Sequence, residues 1–335
     1  MNDDAAIPEL IRVSIGSAIV LGLIKAKLDA LPTTAYLLTY TDAKCTANCG
    51  FCPQARKSKS RADMLSRVTW PDFPTLRVVN GIEQAFKQNK IKRVCIQALN
   101  YPTVFDDVMN VVSKITSKCN VPISVSCQPV DDEIMKKLAD TGVERIGIPL
   151  DAATEGIFDK IKGKSAQGPY IWKKQLDLLK KAVKIFGKNK VSTHLIVGLG
   201  ETEKEMVKII QRCVNMGVYP SLFAFTPISG TALEFSPPPS IIQYRRIQLA
   251  RYLIVLGNAK YENVCFSKDG EIVDFGVSEE TLHRTIRSGK PFLTSGCPHC
   301  NRPYYNEKPS GPLYNYPALP VDEEINEIEK VFKQS

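Results

Sequence analysis

Short apolar runs alternate with longer amphipathic runs along most of the chain. In the amphipathic runs, apolar residues recur three to four positions apart, which is the period of an α-helix. This pattern predicts helices over Asp131–Thr141, Tyr170–Phe186, Glu203–Met216, Ile241–Leu256 and Asp322–Phe332. The short apolar runs predict eight buried strands, which are Ala35–Tyr40, Arg93–Ala98, Pro122–Cys127, Arg145–Leu150, Lys190–Val197, Ser221–Phe225, Asn263–Ser267 and Pro291–Thr294.

Eight short buried strands separated by helices are typical of a parallel α/β protein. We expect a TIM-type (β/α)8 barrel, in which the active site lies at the C-terminal ends of the strands. A doubly wound sheet is the alternative, because periodicity does not separate the two. The predicted organisation is an N-terminal helical segment over residues 1–34, a barrel over 35–296, and a C-terminal segment over 297–335.

Composition narrows the range of partners and compartments. The 335 residues carry 44 Lys and Arg against 35 Asp and Glu, a formal charge of +9. The basic residues are interspersed with acids, so we predict a soluble basic surface and not a nucleic-acid site. No apolar run reaches the roughly 18 residues of a membrane span. Ten cysteines without a secretion signal indicate a reducing compartment, the cytoplasm, where clustered cysteines more often bind metal than form disulfides.

Three of these cysteines, Cys45, Cys49 and Cys52, follow the first predicted strand at intervals of four and three residues. Three thiolates in so short a loop can ligate three irons of a 4Fe–4S cubane and leave the fourth iron open to a small molecule. A structural zinc ion is the alternative, but such a site usually takes four ligands in two separated pairs. The spacing therefore favours an iron–sulfur cluster.

This loop resembles that of the radical SAM superfamily. The resemblance implies that Cys45, Cys49 and Cys52 hold the cluster, whose open iron binds S-adenosylmethionine and whose electron cleaves it to a 5′-deoxyadenosyl radical. It also implies that Phe51 packs near the adenine, with plain packing within the loop as the alternative. A reductant such as ferredoxin is the implied electron donor.

Further residues agree with the same family in their order and distance after the loop. The segment with Ile196, Gly198 and Gly200 resembles the fifth-strand motif that lies along the adenine, where glycine allows close approach of the backbone. Asp151 stands where the family places a ribose ligand. Gln97 and Ser126, at the ends of the second and third predicted strands, are implied contacts of the methionine or ribose. For these three polar residues, a helix cap or a satisfied core position is the alternative.

Within the superfamily, the loop sequence and most of the chain are similar to biotin synthase. That enzyme holds a second cluster inside the barrel through three cysteines and an arginine. Cys95 matches the strand-two cysteine, whereas the strand-three and strand-five positions carry Ser124 and Ser192, and the arginine position carries Cys265. These differences count against the 2Fe–2S cluster and the dethiobiotin substrate of biotin synthase.

A second cysteine pair, Cys297 and Cys300, lies in a Gly/Pro turn near the C-terminus, a spacing typical of a metal knuckle. We predict that it holds a second iron–sulfur cluster, most simply 4Fe–4S, with further ligands from among Cys265, Cys127 and Cys95. A zinc knuckle or unliganded thiols are the alternatives.

A biotin synthase-like barrel with this C-terminal pair resembles the archaeal two-protein lipoyl synthase. The resemblance implies sulfur insertion into an octanoyl chain carried by a lysine of a lipoyl domain or carrier protein, with a second radical SAM subunit as a possible partner. The alternatives are biotin synthase, a non-thiolating relative such as a methylornithine synthase or hydrogenase maturase, and a non-catalytic iron–sulfur scaffold.

Overall fold

The computed structural model describes residues 7–129, 131–308 and 310–333. The strands are β1 (Leu10–Val13), β2 (Thr34–Thr39), β3 (Met64–Leu65), β4 (Val68–Thr69), β5 (Asp72–Pro74), β6 (Arg93–Gln97), β7 (Ile123–Ser126), β8 (Arg145–Gly147), β9 (Val191–Val197), β10 (Val218–Ala224), β11 (Cys265–Phe266) and β12 (Ile272–Asp274). The helices are α1 (Ile15–Val20), α2 (Thr75–Lys87), α3 (Val104–Thr116), α4 (Asp132–Asp140), α5 (Glu155–Ile161), α6 (Trp172–Phe186), α7 (Glu203–Asn215), α8 (Ile241–Val255), α9 (Glu279–Arg287) and α10 (Asp322–Lys333).

One large sheet organises the molecule. Its strand order is β10-β9-β8-β7-β6-β2-β1-β5. The six strands from β2 to β10 in this order pair in parallel, and β1 and β5 add an antiparallel edge beside β2. The α/β, TIM-type fold class is therefore confirmed, with six parallel strands carrying the βα units. The first six predicted strands and the five helices predicted after residue 130 are present, with ends shifted by a few residues.

The helices begin and end where the sequence offers caps. Asp131 accepts a hydrogen bond from the amide of Ile134 at the start of α4. Thr202 and Glu205 form a reciprocal capping box at the start of α7. The apolar stripes of α2, α3, α4, α6 and α7 pack onto the sheet to form one core. Among the described residues no helix is both long and apolar enough to cross a bilayer.

The last two predicted strands are wrong. Asn263–Ser267 forms a 3-10 turn and then β11, which pairs with β12 in a separate two-stranded antiparallel sheet. The first two residues of Pro291–Thr294 lie in a 3-10 helix that follows Gly289 in the left-handed region, and Leu293 forms only an isolated bridge with Tyr316. Proline has a fixed φ and no N–H to donate to a ladder, so an apolar run that begins with Pro291 is a poor strand.

The N-terminal segment also differs from a purely helical one. Strand β1 precedes the short helix α1, and Gly22 at φ +72 lies just beyond that helix. Residues 1–6 of that predicted segment lie outside the described residues.

Residues 294–302 take the place of a seventh and eighth barrel strand. The hydroxyl of Ser295 accepts a hydrogen bond from the amide of Leu222 in β10, at 2.7 Å. The side chain of Asn301 accepts from the amide of Thr33, next to β2, at 3.0 Å. This segment therefore bridges the first and last parallel strands and closes a cavity at the strand ends.

Candidate active site

The cavity that results has a volume of about 250 Å³. Its wall is built from the C-terminal ends of the parallel strands, the cysteine loop after β2, and the C-terminal segment. The predicted site residues that line it are Cys45, Cys49, Phe51, Cys52, Cys95, Gln97, Ser126, Cys127, Asp151, Ile196, Cys297 and Cys300. Residues far apart in sequence thus meet around one cavity, as expected for a site at the strand ends of a barrel.

Backbone hydrogen bonds hold the cysteine loop in a compact turn. The amide of Cys45 donates to the carbonyl of Gln54 at 3.0 Å, and that of Cys52 to the carbonyl of Cys49 at 3.0 Å. The amide of Asn100 donates to Cys45 Sγ at 3.2 Å. This contact holds the Cys45 sulfur against the backbone that follows β6. All three cysteines are free of disulfides.

Burial of the cysteine loop shifts the pKa values of two of its thiols. Burial raises the pKa of Cys49 to about 12, while the ammonium of Lys162 acts in the opposite direction. Burial and the neighbouring Cys49 also raise the pKa of Cys52. Burial thus favours the protonated form of both thiols, and a metal bound here would have to displace their protons.

Asp151 follows the fourth parallel strand, β8, by four residues and forms an isolated bridge with Leu195 of β9. Its backbone has φ +66, a conformation that is uncommon for residues other than glycine. Hydrogen bonds to the carbonyl of His194 and from the amide of Ile196, both 2.8 Å, fasten it to β9. Its carboxylate contacts Lys162 Nζ at 2.6 Å. Lys162 is fully buried and was not predicted, since a lysine in a charged, glycine-rich stretch gives no sign of burial.

The glycine segment after β9 has a different neighbour from the one expected. Gly198 has φ +101, and a Cβ there would lie 2.7 Å from a side-chain carbon of Pro239. The amides of Gly198 and Leu199 donate to the carboxylate of Glu201 at 2.7 and 2.9 Å. Gly198 and Gly200 are outside the set of residues that line the cavity, whereas Ile196 is in it. The close approach at Gly198 is thus to the protein itself.

A second group of thiols lies on another part of the same wall. Burial raises the pKa of Cys95, and the neighbouring Cys297 and Cys300 raise it further. Ser124 Oγ donates to Cys297 Sγ at 3.3 Å, and Tyr36 Oη lies 3.4 Å from Cys300 Sγ. At the strand-three position where biotin synthase has a cysteine, this chain therefore places a serine in contact with the C-terminal pair.

The five candidate ligands of the second cluster do not all converge. Cys265 is exposed in the β11–β12 hairpin and is absent from the cavity wall. Its selection was wrong because it depended on a seventh barrel strand that does not form. Cys127 is buried in the wall, and burial alone raises its pKa to about 12. Gln97 donates to Cys95 Sγ at 3.1 Å and so lies within the second thiol group.

Arg302 is a site residue that sequence reasoning missed. Its guanidinium stacks on Phe223, with Cζ 3.8 Å from the ring centre, and donates to the carbonyl of Ser295 at 2.7 Å. Its Nε is buried without a hydrogen-bond partner among the described residues. Its positive charge opposes the rise that burial causes in the pKa of Cys300. The signal was its position two residues after the knuckle cysteine.

The donor sets fit iron–sulfur clusters chemically. Both groups consist of unpaired thiols on the wall of one largely apolar cavity, and thiolate is the ligand that iron–sulfur clusters take. Among residues 7–129, 131–308 and 310–333, no three Cys, His, Asp or Glu side chains are placed to hold one metal ion. Cys45, Cys49 and Cys52 are the residues that would hold a cluster beside Asp151, and Cys95, Cys297 and Cys300 form the second set.

Comparison with known proteins agrees with this arrangement. The profile of the Radical SAM superfamily matches residues 42–213, just over half of the chain. Biotin synthase of Persephonella marina is 28% identical over 203 residues, which cover 59% of this chain and 56% of that protein. Biotin synthase of Aquifex aeolicus is 24% identical over 238 residues, covering 69% and 66%. The match thus spans little more than half the length of the first of these relatives.

Two solved structures share the fold at low identity. Methylornithine synthase has a TM-score of 0.50 and 12% identity, with 75% of this chain and 80% of that chain covered. The FeFe-hydrogenase maturase HydG has a TM-score of 0.52 and 14% identity, covering 72% and 57%. The cysteine loop at the strand ends, the cavity beside it and the matched profile together show that this chain belongs to the radical SAM superfamily and is biotin synthase-like in sequence.

Proposed function

We propose that the protein is a sulfur-inserting radical SAM enzyme of the lipoyl synthase type, acting on an octanoyl chain attached to a lipoyl domain or carrier protein. The observation that carries the proposal is the second thiol group, Cys95, Cys297 and Cys300, on the wall of the cavity that also holds the cysteine loop. Sulfur insertion needs a sulfur source close to the carbon that loses hydrogen, and a cluster held by this second thiol group would bring its sulfide to the cavity that the cysteine loop also lines.

The chain's residues have distinct roles in this proposal. When bound, the loop cluster and S-adenosylmethionine would supply the chemistry that removes a hydrogen atom from an unactivated carbon. Cys45, Cys49 and Cys52 hold that cluster, and Asp151 accepts a ribose hydroxyl. The proposed cofactor wall also includes Phe51, Gln97, Ser126 and Ile196, with Gly198 and Gly200 shaping its edge. The largely apolar wall surrounds the substrate carbon and excludes water from it.

Partners follow from the same chemistry. The enzyme requires a one-electron donor such as ferredoxin. A formal charge of +9 suits an acidic carrier domain, because complementary charge speeds encounter. A second radical SAM subunit is a further proposed partner. Ten free cysteines suit the reducing cytoplasm.

The first test is iron and sulfide content with Mössbauer spectroscopy on anaerobically purified protein. We expect about eight irons in the wild type and about four in the C45A/C49A/C52A variant, all cubane-like. About four irons in the wild type and none in the variant would remove the second cluster, and with it the proposed sulfur source.

The second test separates sulfur transfer from cofactor cleavage. In the C297A/C300A variant we expect cleavage of S-adenosylmethionine to persist, iron to fall by about half and sulfur transfer to octanoylated carrier to cease. The matched control is C265S, which removes an exposed thiol outside the cavity and should leave iron content and transfer unchanged. Iron loss in C265S, or full iron in C297A/C300A, would contradict the ligand assignment.

Biotin synthase is the second candidate, favoured by the sequence relatives at 24–28% identity. It is distinguished by substrate. Incubation of the reduced protein with dethiobiotin and with octanoylated carrier domain, followed by mass spectrometry of both, should show a mass gain on the carrier alone.

A further inference from the structure

A buried lysine stands beside Cys49 at the cavity wall, outside both the cysteine loop and the glycine segment. Lys162 follows α5 directly and is 1% exposed. Its Nζ donates to Asp151 Oδ2 at 2.6 Å and to the carbonyl of Pro149 at 2.9 Å. The rings of Phe158 and Tyr170 lie on it at 5.6 and 4.8 Å from Nζ to their centres.

The surroundings of this ion pair leave one acceptor available. Lys162 occupies Oδ2 of Asp151, and no described residue donates a hydrogen bond to Oδ1. Asp151 and Lys162 both line the cavity. A carboxylate with one oxygen held by an ammonium and the other without a protein donor is ready to accept a hydroxyl from a bound molecule.

The position of Lys162 is itself tightly determined. The carbonyl of the preceding Ile161 accepts the amide of Gly50 in the cysteine loop at 2.7 Å. Gly168 packs so closely that a Cβ there would lie 2.0 Å from the carbonyl of Lys162. The lysine is thus fastened between the cysteine loop and the turn after α5, and movement of either would move its contact with Asp151.

We propose that Lys162 is a positioning residue. It orients the Asp151 carboxylate so that Oδ1 accepts a ribose hydroxyl of S-adenosylmethionine. Without it, the carboxylate loses its partner and its orientation. The inference depends on the superfamily assignment and on the role of Asp151, but not on sulfur insertion, so it can fail or succeed independently of the substrate.

The test is binding of S-adenosylmethionine to cluster-loaded protein, measured by anaerobic titration, with no carrier or other substrate present. K162M should bind about 10- to 100-fold more weakly than wild type, the range for loss of a hydrogen bond to a charged group. K164M, which removes an exposed lysine two residues away, is the matched control and should bind like wild type.

An analogue that lacks both ribose hydroxyls distinguishes positioning from a general structural role. Its affinity should be the same for K162M and wild type. Equal weakening of both ligands in K162M, or no weakening of either, would overturn the proposal.

If the K162M protein does not retain iron, the effect of Lys162 is measured instead by comparing D151N/K162M with D151N. The double variant contains no unpaired buried charge. If Lys162 acts through Asp151, D151N/K162M and D151N should bind S-adenosylmethionine equally. A further loss in the double variant would show that Lys162 acts by another route, and the inference would be wrong.

Discussion

At the residue scale, residues of the same type occupy different environments in the structure. Cys49, Cys95 and Cys127 lie in its wall, whereas Cys265 is exposed on a hairpin. The chain has three histidines, and His194 lies in the same wall. Burial lowers the pKa of His194 to about 4, with nearby Asp151 acting against this shift. A position that is polar in sequence thus holds a neutral imidazole in the structure.

This lowered pKa predicts a sensitivity to acid. Below pH 6.5 the unfolded chain binds a proton at His194 that the folded protein binds only near pH 4. The free energy of unfolding should therefore fall as pH drops, with His194 contributing about 2 kcal/mol of that loss between pH 7 and 5. Denaturant unfolding of cluster-free protein at both pH values should show a loss smaller by about this amount in H194Q. An equal loss in wild type and variant would show that His194 does not titrate in this way.

At the element scale, a buried carboxylate in the first turn of α7 connects this helix to its neighbours. Glu203 and Glu205 both stand in its first turn, where acids favour the helix dipole. Only Glu203 is buried, where it contacts Arg246 Nε of α8 at 2.9 Å and accepts the amide of Ile272 in β12 at 2.7 Å. One carboxylate thus joins two helices and the hairpin.

The two glutamates should differ sharply when replaced. E203A leaves Arg246 buried without its buried partner, which should lower the free energy of unfolding by about 3–5 kcal/mol. E205A removes only one part of the capping box and should cost about 1 kcal/mol. Equilibrium unfolding of both variants measures the difference. Similar costs would mean that the Glu203–Arg246 pair does not hold the helices together.

At the scale of the whole molecule, residues 31–33 meet residues 299–301 beside the second thiol group. Asn301 accepts the amide of Thr33 and donates to the carbonyl of Leu31 at 2.9 Å. The hydroxyl of Thr33 donates to the carbonyl of His299 at 2.6 Å. Arg93 in β6 reaches the same turn, donating to the carbonyl of Pro298 at 3.3 Å and to Glu144 at 2.7 Å. Closure of the cavity therefore depends on contacts between distant parts of the sequence.

Removing the contacts of Asn301 should increase local opening around Cys297 and Cys300 without opening the sheet. N301A removes two hydrogen bonds, about 1–3 kcal/mol in sum. In cluster-free protein, amide hydrogen exchange at residues 297–302 should then accelerate about 10-fold or more, with exchange in β7 and β9 unchanged. Uniform acceleration throughout the sheet would instead show global destabilisation, and no acceleration would show that Asn301 does not secure the turn.

Local patterns in the sequence were sufficient to predict many of the secondary-structure elements and part of the candidate site. Six of the eight predicted strands and the five helices predicted after residue 130 form, because apolar runs and helical periodicity reflect which faces are buried. Cys45, Cys49 and Cys52 could be identified because all three ligands come from one loop, so their spacing in sequence is already a spacing in space. Asp151, Gln97 and Ser126 were placed on the cavity wall because parallel strand ends share one edge.

Only the tertiary structure decided the remainder. The second thiol group joins Cys95 to Cys297 and Cys300 across some 200 residues, and sequence gave equal standing to Cys265. Two apolar runs near the C-terminus resembled barrel strands, but one pairs with β12 in a separate hairpin and the other enters a 3-10 helix that contains Pro291. The burial of Lys162 and Glu203 had no sequence signal. A charged side chain is buried only when tertiary packing brings it a partner, and that partner is not encoded at any fixed spacing.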